Sequence, residues 1–251
     1  MFKNILRIHV ERTFPTPKRG RPVRLTFDEA YENILRVVRT GMQWRQLRPA
    51  TVSHITVFKT MHKWIEADLF RAAYQRLLRL YRRQRRPRYC CVDSSFVKNI
   101  YGSDCVGRNP TDRGRMATKV SATVDDLGVP YSLLFTPANQ SDMRLLQPTL
   151  AAVMANPPPG TPLYADKGYD SLSNRRICSE HGYRDRIFRR RTTNTRRTHA
   201  TRGVVERFFS WIDKYRRLIV RYERYVKTYA AMAHLACGLL LEARSQGVLL
   251  P

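Results

Sequence analysis

The sequence predicts an α/β protein, a small all-helical N-terminal part followed by a mixed sheet flanked by helices. Three observations carry that prediction. Apolar residues recur at helical spacing through 26–83, they change to continuous or alternating runs at 89–92, 117–124, 129–135 and 162–165, and they return to helical spacing over 201–224. A hydrophobic fraction of 43% in 251 residues is enough for a real core, in one large domain or a small one joined to a medium one.

The elements follow in chain order. Residues 15–22, PTPKRGRP, hold two kinds of helix breaker and form a basic arm, so 1–23 is taken as the arm segment. Within it Arg19 and Arg21 have the composition of an extended minor-groove reader, the alternative being a linker with incidental charge. Thr26 and Glu29 have capping-box spacing and open a helix that Gly41 stops. Two further helices are expected near 53–69, burying Ile55, Phe58, Met61, Ile65 and Leu69, and near 70–83. Three short helices with a basic surface suggest a helix-turn-helix-like DNA-binding domain over 24–86, or a helical cap that only packs on the rest.

Pro87 marks the boundary to a second domain, 87–251. YCCV (89–92) reads as a central strand buried on both faces and ending at Asp93. Residues 117–124 and 129–135 form a hairpin about DDLG (125–128), which makes Asp125 and Asp126 turn residues and not ligands. A helix at 145–154, a strand at 162–165 ending in Asp166, a helix near 171–181 capped by Asp170, and a last strand at 184–188 complete the pattern. The segment 227–243 is apolar on most sides but too short and interrupted to span a membrane.

The rest of the chain is organised around the helix expected at 201–224. Val204, Val205, Phe208, Phe209, Trp211, Ile212, Tyr215, Leu218 and Ile219 make its buried stripe. Arg202, Glu206, Asp213 and Arg217 line one edge, with Glu206 beside the apolar boundary. Arg202 and Glu206 at i, i+4 form an ordinary solvated pair, or Glu206 is a metal ligand.

Composition narrows the partner. A net charge of +26 and a pI near 10.7 call for a polyanion, and nucleic acid is expected. The basic residues are spread along the chain and not gathered on one apolar-faced helix, so no membrane partner is expected. MFKNILRIHVER has charges inside its apolar stretch and no small-residue cleavage site, which makes the expected location intracellular, the cytoplasm or nucleoid if the source is bacterial. Five cysteines without a CxxC pair read as reduced thiols and no zinc site.

Three strands, a helix, a strand ending in Asp, a helix, a strand and a helix carrying Glu is the element order of a ribonuclease H-like fold. There, Asp93, Asp166 and Glu206, separated by 73 and 40 residues, can meet at one sheet edge. Three carboxylates beside a polyanion need a divalent cation between them, and hard oxygen ligands suit Mg²⁺ or Mn²⁺.

The blocks GMQWRQL (41–47), VDSSFVKN (92–99), DRGRMATKVSATVDDLGVP (112–130), TPANQSD (136–142), ADKGYDS (165–171), RGVVERFFSW (202–211) and RRLIVRYE (216–223) resemble the transposases of the IS5 family, within the DDE transposases. The resemblance covers most of the chain from about residue 24. It implies that Asp93, Asp166 and Glu206 are the DDE triad, catalytic and metal-holding, with Arg202 one turn before the glutamate. It further implies metal-dependent cleavage and strand transfer at the terminal repeats of an insertion sequence, double-stranded DNA as element end and target, and a homodimer or larger synaptic assembly. Lys98, Lys119 and Lys167, with Arg19, Arg21 and Arg202, are the DNA-contact candidates. The wider group's signature has a tyrosine and a lysine where this chain has His199 and Asp213, although Lys214 is adjacent, and the N-terminus is shorter than is usual for the family. Two other readings share the fold: a transposase-derived DNA-binding protein without catalysis, and a nuclease that cuts without joining.

Overall fold

One strand, β1 (Cys90–Asn99), pairs on both sides and sets the architecture. The computed structural model describes residues 1–15, 24–189 and 196–245, with only the backbone at 196–202. On one side β1 runs antiparallel to β3 (Met116–Asp125), continuously from Cys90 opposite Asp125 to Lys98 opposite Ala117. On the other it runs parallel to β5 (Thr161–Ala165), with Val92 beside Ala165. Outside β5 lies β6 (Tyr183–Ile187), also parallel. Outside β3 lie β4 (Pro130–Pro137) and the short β2 (Gly107–Arg108), both antiparallel to it. Antiparallel neighbours need only a turn between them, whereas parallel ones need a crossover. The crossovers are α5 (Asp142–Ala151), leading into β5, and α6 (Leu172–Glu180), leading into β6. Three antiparallel strands followed by two parallel ones, with helices on both faces, is the ribonuclease H-like arrangement.

Alternation along β1 sends its side chains into two cores. Cys91 joins a cluster that includes α2 (Phe27–Thr40), α3 (His54–Glu66), α4 (Leu69–Gln84), α7 (Arg196–Ile212) and α9 (Val226–Ser245). Cys90 and Val92 join another with Leu146, Leu150, Leu163 and Tyr169. Both cysteines are buried and act as the small apolar strand residues expected of them. Among the described residues no helix is long and apolar enough to cross a membrane.

Several expectations are corrected. The long helix ends at Ile212; α8 (Arg216–Ile219) and β7 (Val220–Arg221) follow, and β7 pairs with Lys98 and Asn99 of β1. The reason is Arg221, which is fully buried: Nη1 donates to the Asp104 carbonyl at 2.7 Å and to Thr118 Oγ1 at 2.9 Å, and Nη2 pairs with the Asp104 carboxylate. A continuous helix could not carry that guanidinium to the sheet edge. Leu218 is buried as expected, but Ile219 is 48% exposed.

On α3, Ile55 and Phe58 are on the outside at 52% and 36% exposure, and Val57 and Trp64 are buried in their place. Phe58 instead meets the Trp44 ring at 5.3 Å. β1 does not stop at Asp93 but continues six residues beyond it, because β3 offers partners as far as Lys98 and β7 pairs with Lys98 and Asn99. Thr26 Oγ1 accepts from the Glu29 amide at 3.2 Å, but the Glu29 carboxylate turns to the Thr51 amide at 2.8 Å, so the capping box is not closed. Ser171, not Asp170, caps α6; Asp170 pairs with Arg175 at 2.7 Å.

The segment assigned to the arm begins with a helix, α1 (Phe2–Thr13), whose Phe2, Ile5, Leu6 and Val10 are buried at i, i+3, i+4 spacing. Residues 16–23, with Arg19 and Arg21, lie outside the described residues. Phe2 packs against Gly238 of α9 so closely that a Cβ there would run into the ring. Gly238→Ala should therefore cost about 1–3 kcal/mol through overpacking and loosen α1, read as a lower unfolding midpoint and faster proteolysis within 2–13. Parental stability with α1 still protected would contradict this packing.

The hairpin turn is anchored by charge. Asp125 Oδ1 accepts from the amides of Leu127 and Val129, both at 2.9 Å, and Arg85 donates to Asp125 at 3.0 Å and to Asp126 at 2.6 Å. Burial pushes Asp125 up, and the bonds it accepts only partly offset that. Burial acts the same way on Asp126, but hydrogen bonds from Arg85 and Arg88 outweigh it and hold the group below its usual value. Because the Asp126 carboxyl is depressed in the fold, its pairing stabilises above the unfolded value near about 4 and is lost as pH falls through the lower folded value. Arg85→Met should cost about 1.5–3 kcal/mol at neutral pH, since it removes charge-assisted bonds to both carboxylates while Arg88 still holds Asp126 and Tyr81 still donates to Asp125. The loss should shrink in acid, where those groups take up protons, and denaturant unfolding at two pH values measures it. A cost under ~1 kcal/mol at neutral pH would contradict the anchoring role.

Candidate active site

Two of the three predicted carboxylates lie on neighbouring strands, Asp93 within β1 and Asp166 just past the end of β5. Asp93 follows Val92 and Asp166 follows Ala165, which are register partners on neighbouring parallel strands, and such strands are about 4.8 Å apart. Each carboxylate is oriented by the next amide: Asp93 Oδ1 accepts from Ser94 N at 2.8 Å and Asp166 Oδ1 from Lys167 N at 2.7 Å. At Asp166 this bond opens the single 3-10 turn Lys167–Tyr169. Both aspartates line one crevice with Cys91, Tyr164, Phe188 and Val205.

Val205 brings α7 to this crevice, and Glu206 is the next residue, exposed on the same helix. Among the described residues no group of three or more His, Cys, Asp and Glu is placed to hold a metal ion. The fold thus brings Asp93 and Asp166 together, and Glu206 follows the crevice residue Val205 on α7 without closing a three-carboxylate cluster among the described residues. The side chain of Arg202 lies outside the described residues. The donors at the crevice are hard oxygens, and burial pushes the Cys91 thiol far up, which keeps it neutral and a poor ligand. That donor set fits Mg²⁺ or Mn²⁺ better than a soft metal.

The basic candidates separate. Lys98 is exposed near the end of β1, and Lys167 is half-buried beside Asp166. Lys119 is corrected as a phosphate contact. Its side chain is 4% exposed and Nζ is held by Asp142 Oδ1 at 3.0 Å and the Gln140 carbonyl at 2.6 Å. From Ala117 onward β3 is buried at every position, on both faces, which the mixed polar and apolar residues around Lys119 do not announce. Ser94 and Asp142 also went unrecognised: Ser94 Oγ donates to Asp142 Oδ1 at 2.6 Å, directly behind Asp93.

The C-terminal end of α7 borders a cavity of about 200 Å³, lined by residues that include Phe96, Phe135, Phe208, Phe209 and Ile212, with Asp213 the carboxylate on its wall. Burial raises the Asp213 carboxyl.

The transposase DDE domain family matches residues 84–241. The putative transposase for insertion sequence element IS402 of Burkholderia cepacia is 36% identical over 151 residues, which is 56% of this chain and 70% of that one. The transposase for insertion sequence element IS1106 of Neisseria meningitidis serogroup B is 33% identical over 145 residues, 53% of this chain and 49% of that one, so the match spans about half of that relative. The putative transposase for insertion sequence element IS6501 of Brucella ovis is 24% identical over 131 residues, 50% of this chain and 98% of that one. A solved structure, the Mos1 transposase paired-end complex with left transposon end, shares 11% identity at a TM-score of 0.30, covering 90% of this chain and 81% of that one, a score at which superposition alone does not establish a common fold. With a family match over well more than half its length, the chain belongs to the transposase DDE domain family and is a DNA transposase.

Proposed function

We propose that the chain is an IS5-type DDE transposase that cuts and joins DNA at the terminal repeats of an insertion sequence, with Asp93, Asp166 and Glu206 as its metal-holding residues. The observation that carries this reading is the pair of aspartates at adjacent strand positions, each fixed by its neighbour's amide, in a crevice bordered by the helix that bears Glu206. Bound Mg²⁺ or Mn²⁺ supplies Lewis acidity that activates a water or a 3′-hydroxyl and stabilises the leaving oxygen. The protein's part is to hold the carboxylates in one orientation, so that little is reorganised when the scissile phosphate arrives. Glu206 completes the set from α7, and Arg202 orients Glu206 or meets a phosphate.

In cleavage a water oxygen attacks phosphorus and the 3′ oxygen leaves; in joining that freed 3′-hydroxyl attacks a target phosphodiester and displaces its 3′ oxygen. The +26 charge offsets the phosphates of double-stranded DNA, with Lys98, Lys167, Arg19 and Arg21 as contacts. Holding two element ends calls for a homodimer or a larger synaptic assembly, working inside the cell where the DNA is, the nucleoid if bacterial. The helical segment 24–86 is the proposed DNA-binding domain ahead of the catalytic domain.

Asp93→Asn and Asp166→Asn keep an oxygen that accepts the neighbouring amide while removing the charge a hard cation needs. Each should lower single-turnover cleavage of end-containing DNA by ~100-fold or more, with cooperative unfolding retained. Glu206→Gln should do the same and bind DNA as well as the parent or slightly better. Cleavage within a few-fold of the parent would remove that residue from the triad.

A further inference from the structure

Behind the candidate site the sheet hides a charged side chain that a purely structural face does not need. Lys119 sits mid-strand on β3, opposite Phe96 of β1, with its ammonium 4.9 Å from the centre of the Phe96 ring. Burying a lysine is costly unless it is paired and hydrogen-bonded, and here Asp142 and the Gln140 carbonyl do both. Gln140 and Asp142 belong to TPANQSD (136–142), the block that joins β4 to α5.

Asp142 opens α5 and takes a second hydrogen bond, from the Ser94 hydroxyl at 2.6 Å. Ser94 is the hinge of the arrangement. In β1 its side chain points to the face opposite that of Asp93, while its amide donates to Asp93 at 2.8 Å. A continuous chain of contacts therefore runs from Lys119 to Asp142, through the Ser94 hydroxyl and backbone, to one oxygen of Asp93. Tyr169, three residues after Asp166, is buried in the same face, in the core that holds Val92 and Leu146. The segments that carry the two aspartates thus back onto one buried face.

We infer that Lys119, Asp142 and Ser94 are positioning residues that fix the Asp93 carboxylate for metal binding from the far side of the sheet. The inference rests on the metal-holding reading of Asp93. Outer partners of metal ligands typically carry roughly 10–100-fold in affinity, because a ligand free to rotate must be ordered at the moment of binding. Asp142 would act through the charge that holds Lys119 and accepts from Ser94, not by contact with the reacting atoms.

The test is calorimetric titration of the full-length protein with Mn²⁺ alone, alongside thermal unfolding and metal-free DNA binding. Ser94→Ala should raise the Mn²⁺ Kd by about 10-fold or more, with the unfolding midpoint within a few degrees of the parent and DNA affinity unchanged. Ser94→Thr, which keeps a hydroxyl, should restore binding, and Asp142→Asn should weaken it like Ser94→Ala. Should Ser94→Ala lose cooperative unfolding, Asp142→Asn carries the same comparison. Parental Mn²⁺ affinity in Ser94→Ala and Asp142→Asn, with binding lost in Asp93→Asn, overturns the positioning role and leaves the metal site standing. Parental affinity in Asp93→Asn overturns the metal-holding reading itself and the positioning role with it.

Discussion

The constraint on which the structure depends is the double pairing of β1, antiparallel to β3 and parallel to β5. A strand hydrogen-bonded on both sides cannot slip by one residue without sending every side chain to the wrong face. Here that would exchange Asp93 for Ser94 and Cys91 for Cys90 and Val92. The register therefore decides several things at once: which residues fill each core, that Asp93 emerges beside Asp166, and that Ser94 reaches back to Asp142. The helices are consequences of it. α5 and α6 exist to return the chain for parallel strands, and α7 covers the face on which the aspartates emerge.

Charge is used inside the protein as well as on its surface. Arg221 joins β7 to the loop at Asp104, Arg85 joins α4 to the hairpin turn, and Lys119 joins β3 to the start of α5. Each is buried or partly buried at a seam between elements, where a misplaced partner would leave an unpaired charge at a cost of several kcal/mol. Such pairs add modestly to net stability, but they discriminate strongly against wrong arrangements of the same elements. The net charge of +26 thus overstates the cationic surface available to DNA.

Most strands and helices could be read from the sequence because period and punctuation agree. The change from helical spacing to apolar runs after Pro87 placed the domain's first strand, and Gly41 ends its helix in the left-handed conformation that a glycine stop requires. Asp93 and Asp166 were legible as polar residues following apolar runs, although β1 continues past Asp93, and DDLG was legible as a turn. What was not legible depends on distant partners. The break after Ile212 follows from Arg221 meeting Asp104 and Thr118, more than 100 residues away in sequence. The inward face of α3 follows from its neighbours and not from its own pattern, and α1 was hidden by charges on its outer side. Lys119 looked like a surface cation because only the helices packed on β3, α5 and α7, reveal that the strand is covered.

The central claim is that Asp93 and Asp166, carried by adjacent parallel strands, hold a hard divalent cation, and the most direct measurement is anomalous diffraction from crystals of the protein soaked in Mn²⁺. The account predicts a strong anomalous peak within coordination distance of both the Asp93 and Asp166 carboxylates, on the side of the sheet covered by α7. Anomalous density found only elsewhere, with both carboxylates unliganded at saturating Mn²⁺, would contradict it.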